Sequence, residues 1–138
     1  MDRARYGTIL PMGSRVELRS QFIWLDDEGI LHTQVKPHIE ITLEDAREAM
    51  EQARLLCGGK RYPVLVDLTH CKAMSREARA YYAGGQAAKT GLAAALLIGS
   101  PLARVIGNFF MEINKPVFPA RLFTSEAQAL AWLKGFLQ

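Results

Sequence analysis

Two short, almost unbroken apolar runs constrain this chain more than any other feature of it. Residues 62–68 read YPVLVDL and residues 92–98 read LAAALLI. A strand with one wet face alternates apolar and polar positions, whereas a run that is apolar at consecutive positions belongs to a strand covered on both faces. Pro63 fits only because it opens its strand, where no ladder hydrogen bond is lost. Each run leads through a turn into a helix start. After the first, the loop 69–74 reaches Ser75, a good cap. After the second, Gly99-Ser100-Pro101 places Ser100 as cap and Pro101 in the first helical position, where a missing N–H costs nothing. Strand, helix, strand and helix in that order predict parallel strands joined by right-handed crossovers.

The flanking segments complete the pattern. Val16, Leu18, Ser20, Phe22 and Trp24 alternate with Glu17, Arg19, Gln21 and Ile23, which predicts one strand with a single buried face. Asp26-Asp27-Glu28-Gly29 makes a turn, and Leu31, Thr33 and Val35 return as the second strand of an N-terminal hairpin that Pro37 ends. Thr42 caps a helix whose inner face is Leu43, Ala46, Ala49, Met50, Ala53, Leu56 and Cys57, with Gly58-Gly59 as the left-handed exit. From Ser75 a second helix passes Tyr81 and Tyr82 towards Thr90, weakened at Gly84-Gly85 and ending at Gly91. In the third, Leu102, Val105, Ile106, Phe109, Phe110 and Ile113 form one apolar stripe, with Arg104, Asn108 and Glu112 elsewhere on the wheel. Residues 117–123 are the last strand, placed at an edge by Pro119. Thr124 and Ser125 then cap a final helix carrying Ala127, Leu130, Ala131, Trp132, Phe136 and Leu137. The expected class is therefore α/β, a mixed sheet in which an N-terminal β-hairpin is followed by α-β-α-β-α-β-α.

A length of 138 residues suits one core and one domain. Residues 1–14 lack a period and hold Gly7, Pro11 and Gly13, so they are expected as an N-terminal arm ahead of a single domain over 15–138. The net charge of +3 is spread along the chain, and the nearest thing to a basic stripe is Lys60-Arg61, which argues against a nucleic-acid partner. No apolar run approaches the ~20 residues that span a bilayer. The apolar patch behind Arg3 and Arg5 is cut by Pro11 and closed by Arg15, unlike a secretory signal, so a cytoplasmic location is expected. Cys57 and Cys71 form no C-x-x-C pair and are expected as reduced thiols. No metal and no cofactor is expected.

The element order, with Val64-Leu65-Val66-Asp67-Leu68 leading through a short loop into a capped helix, resembles the STAS domain, named for sulfate transporters and anti-sigma-factor antagonists. The likeness runs from about Arg15 to the end of the chain. The segment from Ala94 through Asn108-Phe109-Phe110 to Phe123-Thr124, with the closing Ala131-Trp132-Leu133, looks like a subgroup of small STAS-like bacterial proteins. The resemblance implies a fold and, from the signalling members, a regulatory role in which a hydroxyl in an Asp-Ser-Ser-Gly type motif is phosphorylated. Here the matching stretch is Met74-Ser75-Arg76-Glu77-Ala78, which puts Glu77 at the phosphoacceptor position and Ala78 at the glycine, so the phosphoacceptor motif is not intact.

Several residues are candidates for a site. Asp67, a carboxylate ending a buried strand, needs hydrogen bonds or a cation to offset desolvation, and strand C-terminal ends are where open α/β sheets bind ligands. The alternative is that it accepts backbone N–H bonds and merely shapes the loop 69–75. Thr69, His70 and Ser75 lie on that same predicted edge, and Gly99 and Ser100 begin a helix beside it. His70 and Cys71 are adjacent, but neighbours seldom face each other as nucleophile and base. His32 and His38 are the remaining histidines. Tyr81, Tyr82, Phe109 and Phe110 are candidates for an apolar pocket or a dimer surface, with core packing as the alternative for most of them, and Trp132 adds bulk on the final helix. No catalytic set is recognisable. The leading expectation is a non-catalytic regulatory or protein-interaction module that binds a protein partner or itself. The alternatives are a carrier or sensor of a small apolar or amphipathic ligand and, last, an enzyme. A homodimer would cover the sheet edge left by Pro119 and the hairpin.

Overall fold

The two apolar runs lie side by side at the centre of a six-stranded sheet. In a computed structural model that describes residues 15–137, the elements are β1 (Val16–Glu17), β2 (Gln21–Leu25), β3 (Leu31–Val35), β4 (Glu40–Ile41), α1 (Leu43–Cys57), β5 (Tyr62–Asp67), β6 (Ala73–Met74), α2 (Arg76–Ala83), α3 (Gly85–Ala88), β7 (Gly91–Leu97), α4 (Pro101–Phe109), a π-helical turn (Phe110–Asn114), β8 (Ala120–Phe123) and α5 (Glu126–Lys134). The expected arm over 1–14 falls outside the described residues.

The sheet order is β1-β2-β3-β5-β7-β8. The first two pairings are antiparallel and the other three parallel. This is the mixed, mostly parallel α/β sheet expected of a STAS-like chain, and β8 is at its edge as Pro119 suggested. Alternate residues of the central strands sort into two layers. Ile23, Leu31, Val35 and Leu96 face α1, α2 and α4, while Leu65, Ala93, Ala95 and Leu97 face α5 with Ala129 and Leu133. Each of the fully buried side chains Ile23, Ile30, Leu31, Ile41, Leu68 and Leu133 adds roughly 2 kcal/mol by leaving water.

The hydroxyl caps are where they were expected. Thr42, Ser75, Ser100 and Ser125 accept the backbone N–H of Asp45, Ala78, Ala103 and Gln128. Gly58 leaves α1 at φ 59°, the left-handed exit that its sequence position called for.

Four expectations are corrected. The strand over 16–24 is two strands, because the chain turns at Leu18, whose N–H bonds the Gln21 carbonyl at 2.8 Å, and β1 folds back on β2. The turn shifts the alternation by one, so Ile23 and Leu25 are buried while Phe22 and Trp24 lie on the other face, half-buried. The loop 69–74 is not bare: its β6 pairs in parallel with β4 in a separate two-stranded ribbon. The helix from Ser75 breaks at the extended Gly84, resumes for one turn as α3, and stops at Ala88, so that Gly91 opens β7. The last strand starts at Ala120, after Pro119, where a backbone N–H first becomes available to the ladder.

Candidate functional site

The candidate edge is formed where β5 and β7 end together, tied by the Leu68 N–H to the Leu97 carbonyl at 2.8 Å. Asp67 closes β5, and its Oδ1 accepts the Thr69 backbone N–H at 3.0 Å and the Thr69 hydroxyl at 2.6 Å. This is an Asx-type turn that shapes the loop. Thr69 lies against Gly99: a Cβ at position 99 would come within 3.0 Å of Thr69 Cγ2. A bare backbone there is what lets the two loops close on each other. Asp67, Thr69 and Gly99 are thus brought together. Ser100 follows at once, with its hydroxyl taken by the Ala103 N–H at 3.0 Å. Ser75 is held by the ribbon through its own N–H to the Ile41 carbonyl at 2.9 Å, and its hydroxyl accepts from the Ala78 N–H at 3.1 Å. His70 is exposed on a turn closed by the Cys71 N–H and the Leu68 carbonyl.

The thiols are poor nucleophiles. Cys57 and Cys71 are free and buried, and burial pushes each thiol up to about 11. With His70 outside and the Cys71 sulfur inside, the adjacent pair is not brought into one site. Among the described residues no group of three His, Cys, Asp or Glu side chains is placed to hold a metal ion. The other histidine arrangement is structural. The His32 Nε2 meets Asp26 Oδ2 at 2.8 Å and its ring stacks on Trp24 at 4.7 Å. Partial burial works against the Asp26 charge, but bonds from the Ile30 N–H, His32 and the Glu28 N–H outweigh it and hold that carboxyl below its ordinary range.

A cavity of about 90 Å³ lies between the sheet and α1, α2 and α4, lined almost wholly by carbon. Ile23, Val35, Val66, Tyr82, Ala94 and Phe110 are among the residues around it. Gln21, Thr33, Tyr82 and Thr90 are the polar residues around it; the Tyr82 hydroxyl accepts the Gln21 Nε2–H at 3.3 Å and is pushed up to about 12 by burial. The space exists because β7 turns Ala94 to this face where a central strand ordinarily carries Val or Ile. Of the expected pocket aromatics, Tyr82 and Phe110 line the cavity. Tyr81 packs half-buried on the core beside it, Phe109 faces solvent, and Trp132 is across the sheet against Phe123 and Phe136. An apolar cavity of ~150 Å³ holds benzene, so this one takes only a smaller guest, of a few heavy atoms.

The largest departure from the sequence reading is on α4. The expected stripe splits: Ile106 and Phe110 point inward with Ala103 and Gly107. Leu102 and Val105 are 50% exposed, Phe109 46%, Ile113 66% and Val117 65%. The small inner residues allow close approach to the sheet; a Cβ at Gly107 would stand 2.9 Å from Leu122 Cδ2. That approach turns a second, larger apolar face outward, beginning two residues after Ser100. The Arg79 guanidinium of α2 sits 5.2 Å over the Phe109 ring and borders the face. The spacing of Ala103, Ile106, Gly107 and Phe110 was the signal for this inner face, overshadowed by the bulkier residues beside it.

Among the described residues no helix is long and apolar enough to cross a membrane. No curated protein matches the chain. A family profile described as "Domain of unknown function (DUF7793)" matches residues 23–137. Two solved structures are similar over most of the chain. One is an uncharacterized protein of the DUF3478 family with a SpoIIAA-like fold from Shewanella loihica PV-4, 17% identical over 87% of this chain and 90% of that one, with a TM-score of 0.48. The other is a protein with unknown function from Arthrobacter sp. FB24, 38% identical over 86% of this chain and 95% of that one, with a TM-score of 0.34.

Proposed function

We propose, from the premise that this chain belongs to the DUF7793 family of domains, that it is a non-catalytic protein-interaction module of regulatory type. The observation that carries the reading is the exposed apolar face of α4, set beside an edge whose polar groups are engaged in holding the loops. Monomeric proteins rarely leave several large apolar side chains contiguous on one helix, because each loses roughly 1 kcal/mol or more of available burial. Asp67, Thr69 and Gly99 form the floor of the adjoining edge, Ser75 and Ser100 start the helices beside it, and His70 stands above it as an exposed polar contact. The two free, buried thiols support a reducing compartment such as the cytoplasm. The 90 Å³ cavity supports the carrier reading only for very small apolar guests, and for that reason the interaction reading is preferred.

The test is a photo-reactive phenylalanine analogue placed at Phe109 and, separately, at His70, in the cells that make the protein. Illumination is expected to yield defined protein adducts from both positions. Absence of any protein adduct overturns the reading.

A further inference from the structure

We infer that the outer face of α4 pairs with the same face of a second copy of this chain, the two helices running antiparallel about a two-fold axis at Asn108. The inference rests on the interaction-module reading and names its partner. Arg104 and Asn108 are four apart on α4, and Glu112 follows on the π-helical turn that continues it; all three are exposed and polar beside the apolar face. Among the described residues neither Arg104 nor Glu112 has an ion-pair partner. In an antiparallel pair, positions equidistant from the axis oppose each other. Arg104 then meets Glu112 of the partner subunit, Glu112 meets Arg104 of the partner subunit, and the two Asn108 amides meet on the axis.

The apolar positions lie close to the same axis without falling on it: Leu102 comes within one residue of Ile113 of the partner subunit, and Val105 within two of Phe109 of the partner subunit. In a parallel pair the two-fold runs along the helices and carries this flanking ridge to the opposite flank of the partner subunit, so neither Arg104–Glu112 contact forms. Charge and shape thus select one self-complementary geometry. From Leu102 to Phe109 the face runs ~11 Å at 1.5 Å per residue, and the π-helical turn carries it on to Ile113. A contact that short belongs with the small interfaces of reversible complexes, so an association that depends on concentration is expected.

The experiment is sedimentation equilibrium of the full chain from low micromolar to the highest soluble concentration. The mass is expected to rise from 15.4 kDa towards twice that value. Val105→Asp and Arg104→Glu should each weaken association by about tenfold or more, and Arg104→Glu combined with Glu112→Arg should restore it, since the swap rebuilds both opposite-charge contacts. All of these positions are exposed, so the fold is expected to survive every variant. A monomer at all concentrations, or a dimer indifferent to the charge swap, overturns the inference. The photo-crosslink at Phe109 separates this from the broader reading: an adduct only with a different protein overturns self-pairing and leaves the interaction module standing, whereas no adduct overturns both.

Discussion

The Arg19 guanidinium spans both carboxylate oxygens of Asp45, joining the turn between β1 and β2 to the first turn of α1. Its Nε donates to Oδ1 at 3.0 Å, and its Nη2 donates to Oδ2 and to the Glu40 carbonyl. The same carboxylate accepts the Thr42 backbone N–H at 2.9 Å while Thr42 caps Asp45 in return, so one buried side chain closes a capping box and fastens the N-terminal hairpin to the helix layer.

Asp45→Asn should therefore cost about 2 kcal/mol at neutral pH, since it weakens charge-assisted bonds at a buried carboxylate. Burial alone would raise this carboxyl, but the bonds from Arg19 and Thr42 outweigh burial and hold it below its ordinary value. The unfolded chain thus takes up the proton first, at roughly pH 4. This contribution is complete above that pH and is lost as pH falls through the lower folded value. Urea unfolding across the acid range should show a steeper loss for the wild type than for Asp45→Asn; parallel profiles would refute the assignment.

The thiols act at the other end of the pH scale. Cys57 and Cys71 titrate near 11 when folded against ~8.5 when unfolded, so the unfolded chain releases its protons first and stability declines as pH rises past about 8.5. At pH 8 both thiols should resist a soluble alkylating reagent in the native protein and react fully in denaturant. Rapid native labelling of Cys71 would reopen a role for it in chemistry.

Ala94 faces the cavity, and Ala94→Val adds two methyl groups to that space. The variant is expected to gain about 1 kcal/mol, or roughly 4 °C in melting temperature, from apolar burial and better strand propensity. Xenon-pressurised nuclear magnetic resonance should shift signals of residues around the cavity in the wild type and not in the variant. Destabilisation by Ala94→Val would mean the space is already used by side-chain motion.

At the edge, Asp67→Asn keeps an oxygen for the Thr69 N–H and hydroxyl, whereas Asp67→Ala removes it. Denaturant unfolding should find the first within about 0.5 kcal/mol of wild type and the second lower by about 1 kcal/mol. Equal losses from both would show that the charge, rather than the turn, is what the position requires.

The readable features are those that act over a few residues. The caps at Thr42, Ser75, Ser100 and Ser125, the left-handed exit at Gly58 and the two central strands were all legible, because a hydroxyl three residues ahead of a free N–H or a run of apolar side chains is a local fact. The β1–β2 turn was not, since period-2 alternation looks the same on either side of a turn that shifts its phase. The β4–β6 ribbon joins two dipeptides from distant parts of the chain, too short to carry a pattern. At the candidate edge the bond from Thr69 to Asp67 is local, whereas the contact of Thr69 with Gly99 exists only because β5 and β7 end together.

The sequence by itself determined the order of the main helices and long strands, the capped helix starts and the parallel centre of the sheet, through hydrogen bonds and burial preferences that each residue carries with it. Tertiary structure alone decided which way α4 faces. Helix α4 has two apolar sides, and the side with Ala103 and Gly107 is buried because small residues let its backbone approach β8, leaving Leu102, Val105 and Phe109, with Ile113 of the turn that follows, exposed.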